Sequence, residues 1–288
     1  MSNKPPNIGL KQAKTLCGMT HEQRLGFIAE GLPLILKSAQ DYWAAAEAIK
    51  DRGREAQILA GFSAEEAAKI MILMDVVRCP RKCIASCIGP LMTWLYEHLA
   101  RLADAKASNW RPVDTKMLKD YMRPFLKSHY IEGAVGEYIL PNSELYERES
   151  NLYVDIAVND DADPYWNTPL DRSGSLILRK PEALSVAEAM SAVGLFSLVG
   201  LKVVHDVWGQ VNFNSAEDFS DAQRLTKSML KQITEQGLAT ETVTQDDVNK
   251  LYCSWQLPMY NFDLKQIPVS LDELKAEQDH MLWREMGY

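Results

Sequence analysis

A mainly α fold, a helical bundle with further helices added to it, is what this sequence predicts. Two apolar stripes near the N-terminus and capping patterns that recur beyond residue 181 predict it. Leu25, Ile28, Leu32, Ile35, Ala39, Tyr42, Ala46 and Ile49 recur at alternating three- and four-residue steps, which lines them along one helix face. Ser63 stands three residues before Glu66, the spacing of a capping box, and Ala67, Ile70, Met71, Met74 and Val77 form a second stripe. Two antiparallel helices that bury such stripes make a bundle, an architecture that hosts many activities.

In chain order, residues 1–19 read as a polar tail, and Thr20 with Gln23 forms the capping box that starts the first long helix. Pro33 predicts a kink or a division in it. Asp51, Arg52 and Gly53 supply a turn, and a second helix is expected over about 55–77, open to interruption at Gly61. A third is expected over 84–104, with Leu91, Leu95, His98, Leu99 and Leu102 on one face, ending at the tract SNWRP. Residues 20–108 thus read as the bundle. Residues 109–181 read as a loop-rich helical elaboration: a short helix over 115–127, the turn-rich HYIEGAVGEYILPN, a helix over 143–158 and the acidic loop NDDADP. In 182–288, a helical region expected to pack on the same core, the pairs Ser185/Glu188, Ser215/Asp218 and Ser270/Glu273 announce three helices, with a shorter one near 246–255. The apolar run from Ala189 to Val204 falls short of the ~20 residues of a membrane span, so it reads as a core helix in which Gly194 and Gly200 allow close approach.

A chain of 288 residues, 47% hydrophobic and 24% charged, has the composition of a folded protein. The N-terminal tract lacks a signal-peptide apolar region and five cysteines do not make a disulfide framework, so a cytoplasmic, reduced protein is expected. A net charge of -8 argues against extended binding to duplex nucleic acid, though a local basic pocket is compatible with it.

Cys79, Cys83 and Cys87 lie four apart, but the spacing matches neither paired CxxC zinc sites nor CxxxCxxC clusters, and they read as small buried side chains. The metalloprotease, phosphate-loop, dinucleotide and hydrolase-elbow motifs do not occur, and no cofactor or metal is expected. NDDADP lacks the glycine and distal glutamate of a calcium loop and reads as a polar turn. His98 and Arg101 share a helical face, so an imidazole and a guanidinium could meet one phosphate, a geometry suited to RNA cleavage. The plainer reading is a partly buried histidine satisfied by a carboxylate on a neighbouring helix. Arg123 and His129, with five residues between them, offer a second such pair, though a weak pattern. Glu65 and Glu66, with Lys69 a turn later, most simply form a solvated face. Trp110, Tyr130, Tyr138, Tyr153, Trp166 and Trp208 could stack bases, but their dispersion favours packing.

The tract FSAEEAAKIMILMDVVRCP resembles the second helix of AbiV-like abortive infection proteins, which are bacterial phage-defence proteins. The resemblance continues through YEHLARLADAKASNWRP and SHYIEGAVGEYILPNSELYERESNLYVDIA and covers about residues 20–157. It implies a helical fold related to the HEPN group, whose members include metal-independent ribonucleases and noncatalytic interaction modules and are often dimeric. HEPN ribonucleases carry an arginine followed after four to six residues by a histidine. Arg123 and His129 fit that spacing, but Pro124 replaces the usual polar residue; His98 lacks an arginine at the proper upstream distance. The resemblance implies a phage-defence protein, and joined to the residue pairs above it gives as the sharper expectation metal-independent cleavage of single-stranded RNA, with His98 or His129 as general acid/base, Arg101 or Arg123 stabilising the phosphate and Glu66 orienting. A noncatalytic module that senses or sequesters a phage or host factor is the alternative, and a small-molecule binder using a pocket beneath the Trp- and Tyr-rich middle segment is a third. A homodimer is expected, with the first-helix stripe as a candidate seam.

Overall fold

The computed structural model describes residues 8–133, 136–158, 163–169, 178–213 and 218–285. After α1 (Ile8–Gly18), the Thr20 hydroxyl accepts from the Gln23 amide and the Gln23 side chain accepts from the Thr20 N–H, the reciprocal box that starts α2 (His21–Ala48). α2 runs through Pro33 as one helix. That proline lies on the exposed face, where water can meet the carbonyl its ring leaves without a donor. The buried line is Leu25, Ile28, Leu32, Leu36, Ala39, Trp43 and Ala46, so Ile35 and Tyr42 of the expected stripe give way to Leu36 and Trp43. A strict 3.5-residue repeat drifts around a helix of 3.6 residues per turn by ~20° each heptad, which moves the buried face one residue on.

α3 (Gly53–Arg78) is continuous across Gly61 and Ser63, so neither the expected interruption nor the expected cap is present. The buried Ser63 hydroxyl instead donates to the Ala39 carbonyl of α2 at 2.7 Å. From Ala67 to Arg78 every α3 residue except Lys69 is buried, because α2, α4 (Ile84–Trp94), α5 (His98–Ala107), α8 (Glu182–Ala192) and α9 (Leu198–Trp208) surround it. The α2 stripe packs on α3 and is not free to serve as an intermolecular seam.

The single helix expected over 84–104 is two helices. Glu97 adopts extended backbone (φ -92, ψ 121) and makes His98 the first residue of α5. No glycine or proline marks this break. α6 (Thr115–Leu126) follows, capped by the Asp114 carboxylate. Two hairpins then occupy segments read from sequence as turns and helix: β1 (His129–Glu132) pairs antiparallel with β2 (Tyr138–Pro141), and after α7 (Ser143–Leu152), β3 (Asp155–Val158) pairs antiparallel with β4 (Pro164–Asn167). The helix expected over 143–158 ends early because Val154, Ile156 and Val158 are β-branched, and the last two find cross-strand partners in Trp166 and Pro164. Residues 159–162 of the acidic tract lie outside the described residues.

The apolar run 189–204 is buried but divided. The N–H of Leu195 reaches the Met190 carbonyl and that of Gly194 reaches Ser191, the Schellman arrangement, with Gly194 at φ 89. A Cβ on Gly194 would lie 2.1 Å from the Leu238 carbonyl oxygen, and one on Gly200 would lie 2.2 Å from that of Gly194. Gly194→Ala is therefore expected to cost about 1–3 kcal/mol in urea denaturation, from the left-handed backbone and the clash together. An unchanged midpoint would show that the turn does not need glycine. Among the described residues no helix is long and apolar enough to cross a membrane. α8 begins at Pro181, not at the expected Ser185 cap, and α10 (Phe219–Glu235) is capped by an Asp218/Asp221 box, Ser215 lying outside the described residues. α11 (Gln245–Ser254) and α12 (Leu271–Glu285) fall where expected, and Ser270 accepts from the Glu273 amide at the start of α12. One apolar core runs through residues of α1 to α6, α8 to α11 and the segment from Trp255 to Leu264.

Candidate functional site

Glu65 is the node of the site. On α3 its side chain is 6% exposed and meets three partners: Oε2 lies 2.7 Å from His98 Nδ1 and 2.9 Å from Arg101 Nη2, and Oε1 accepts from Arg148 Nε at 2.8 Å. The expected solvated face is therefore wrong for Glu65, which is the neighbouring-helix carboxylate that His98 needs. Glu66, expected to orient the site, pairs with Lys69 at 2.5 Å instead.

His98 Nδ1 is also 2.7 Å from Arg101 Nη2. With the carboxylate at the same distance, the favourable arrangement has Nδ1–H donating to Glu65 while Arg101 donates to the same oxygen. Nε2 is the ring nitrogen outside this contact, on a side chain 47% exposed. Arg101, by contrast, is 10% exposed, and its Nε finds no partner among the described residues. Two guanidinium groups against one carboxylate leave the cluster net positive.

The third arm comes from α7, which is clamped at both ends. Asn142, itself buried, donates from Nδ2 to the Phe125 and Lys127 carbonyls at 2.7 Å each and accepts the Leu145 amide at 3.0 Å, tying the start of α7 to the end of α6. Arg54 donates to the carbonyls of Asn151 (2.8 Å) and Leu152 (3.2 Å) at the other end. Arg148 is thereby held toward α3. Sequence reasoning missed Arg148, Asn142 and Arg54. An asparagine directly ahead of a helical stretch, as at Asn142, is a local capping signal, but nothing local pairs position 148 with position 65.

Arg123 and His129 are not brought together. Arg123 is exposed in the last turn of α6, whereas His129 opens β1 and has Ser128 Oγ at 3.2 Å. Trp208 is buried, and Trp110 stacks on Tyr121 with ring centroids 4.4 Å apart, but Tyr138, Tyr153 and Trp166 are exposed, against the expectation of packing. Cys79 ends α3 and Cys83 precedes α4, so the three cysteines do not share a helix, and no cluster able to hold a metal occurs among the described residues.

Beside the Glu65 node lies a cleft of about 400 Å³ between α3, α5, α7 and the segment entering α8. Glu65 and Arg148 line it, with Lys106 and Glu144 paired at 3.3 Å on its wall. Burial pushes the Glu144 carboxyl up from its ordinary range, and Lys106 opposes that shift.

A second histidine pair lies elsewhere, with His21 and His205 ring centroids 4.1 Å apart. His205 Nδ1–H donates to the Val77 carbonyl at 2.8 Å, and Nε2 accepts from Arg81 Nε at 3.2 Å. Burial, then the neighbouring His205, Arg81 and Arg24, pull His21 down to about 4, with Asp206 opposing; burial also lowers His205. Both rings are held neutral in the fold while the unfolded chain binds protons below about 6.5, so stability is full above that pH and falls as the pH drops toward 4. Thermal midpoints measured across that window should decline, and His21→Gln should flatten the decline; parallel curves would remove His21 as its source.

No protein-family model matches this chain, and no curated protein or solved structure matches it.

Proposed function

We propose that this chain is a bacterial phage-defence protein of the AbiV-like kind that cleaves single-stranded RNA without a metal, with His98 as general acid/base. The observation that supports the chemistry is the convergence of Glu65, His98 and Arg101, which holds Nδ1 against a carboxylate on a side chain that is half exposed. In the proposed step Nε2 takes the proton of a 2′-hydroxyl, the 2′-oxygen bonds to phosphorus, and the bond to the 5′-oxygen breaks with a proton returned to that oxygen. The products are a 2′,3′-cyclic phosphate and a free 5′-hydroxyl. Arg101, buried against Glu65, acts here as a positioning residue, and the net positive cluster attracts the phosphodiester. The defence part of the reading rests on the sequence tracts that resemble the AbiV-like family.

A noncatalytic interaction module is the second reading. The β3–β4 ribbon favours it: Ile156 pairs with Trp166 on one face, next to Val154 and Val158, and Trp166 is 70% exposed. The deciding experiment incubates purified protein with single-stranded RNA and a chelator, in the presence and absence of phage lysate components. Cleavage that leaves cyclic-phosphate ends supports the enzyme. Full-length RNA under every condition, with phage protection in cells unaffected by His98→Ala, would hand the function to the interaction module.

A further inference from the structure

We propose that the apolar face of the β3–β4 ribbon is a docking surface for a basic, apolar segment of a protein partner. The inference gives the interaction-module reading a partner chemistry and does not depend on RNA cleavage. Ile156 pairs with Trp166 and Val158 with Pro164, so these side chains share one face, while Asp155 and Asn167 lie on the other. Ile156 is 59% exposed, Val158 60% and Trp166 70%. Among the described residues neither strand packs substantially on another helix or strand, and no backbone hydrogen bond reaches the ribbon from outside it. A two-stranded hairpin standing alone is marginal in water, and a continuous exposed apolar face marks a surface that is covered in use.

Charge decides what covers it. From Tyr153 to Pro169 the sequence carries Asp155, Asp160, Asp161 and Asp163 and no lysine or arginine. The nearest basic residue before the ribbon, Arg148, is turned toward Glu65. Anything seated on Ile156 lies within the ~8 Å screening length of the neighbouring Asp155 at physiological salt. A nucleic-acid backbone or an anionic lipid surface would be repelled there, although Trp166 could otherwise stack on a base or enter a membrane interface. A second copy of the ribbon would bring two sets of aspartates together across a face only four residues long per strand, whereas a stable dimer needs about 800 Å² a side. A short protein segment with apolar side chains and flanking lysine or arginine meets both conditions. Its apolar residues cover the ribbon face, and its cations offset the aspartates, which adds discrimination and a faster encounter more than raw affinity.

Selection from a random peptide library on the full chain tests this, with the double variant Ile156→Thr, Trp166→Thr as counter-target. Threonine keeps the strand preference and removes the apolar face, so the helical circular dichroism spectrum and the urea midpoint should not change. Peptides that prefer the wild type should combine lysine or arginine with valine, isoleucine or aromatic residues. Fluorescence anisotropy of one such synthetic peptide should show about 10- to 100-fold weaker binding to the double variant, the usual loss at a central tryptophan anchor. Reversing the peptide's basic residues to glutamate should cost at least about 10-fold. A library that yields no peptide preferring the wild type overturns the proposal, as do selected peptides without basic residues or a charge reversal that leaves binding unchanged. Self-association, retention on phosphatidylglycerol vesicles or binding to single-stranded RNA that the double variant loses would assign the face to another occupant and overturn it too. Cleavage and peptide binding are measured separately, so either result stands without the other.

Discussion

Replacing His98 by alanine is expected to lower RNA cleavage by about 100- to 10,000-fold, the usual contribution of a general acid/base. The side chain is half exposed at the first position of α5, so its removal opens no cavity and the thermal midpoint should stay close to that of the wild type. His129→Ala should leave the rate unchanged, because His129 stands on a two-stranded hairpin with no arginine or carboxylate partner among the described residues. Glu65→Gln should lower the rate with the protein still folded, since the amide keeps the shape but no longer imposes the Nδ1–H tautomer. Initial rates on a fluorescent oligonucleotide with chelator present measure all three. Equal rates for wild type and His98→Ala would remove His98 from the chemistry.

Arg78→Ala should be the most damaging single change to stability, costing about 3–5 kcal/mol by breaking a buried pair. Arg78 Nη2 lies 2.5 Å from Asp75 Oδ1, Nη1 donates to the Gln256 carbonyl at 2.8 Å, and the guanidinium stacks 4.5 Å from the Trp255 ring and 4.9 Å from that of Trp208. Asp75 Oδ2 in turn accepts the Met259 amide at 2.7 Å. Burial already pushes the Asp75 carboxyl up, and it pushes Asp104 far up, with the Asp75 charge adding to that shift. Without the arginine, Asp75 would be a buried charge with no cation, or would take a proton. Urea unfolding of Arg78→Ala measures the loss, and the pair replacement Asp75→Leu with Arg78→Met should recover only part of it, because the apolar pair needs no desolvation of charge but leaves the Met259 amide and the Gln256 carbonyl without their partners. A loss below about 1 kcal/mol for Arg78→Ala would mean the pair contributes as little as a surface one.

The sequence by itself determined that the protein is mainly helical, because apolar residues at helical spacing and a Thr20/Gln23 box are local signals that need no partner to be read. It also placed His98 and Arg101 on one helical face, since three-residue spacing fixes that wherever a helix forms. The tertiary structure decided the rest. Ser63 looks like a cap and is an interhelical contact, because α3 had already begun at Gly53 and α2 passes close by. The helix break at Glu97 carries no breaker residue, and the helices on either side of it, α4 and α5, both pack on α3. Glu65 and Glu66 are adjacent and chemically alike, and only the side of α3 that faces α5 and α7 makes one of them the buried partner of His98, Arg101 and Arg148. Arg148 stands 83 residues from Glu65 in sequence, a separation that no periodicity spans and that Asn142 and Arg54 close only once α7 docks.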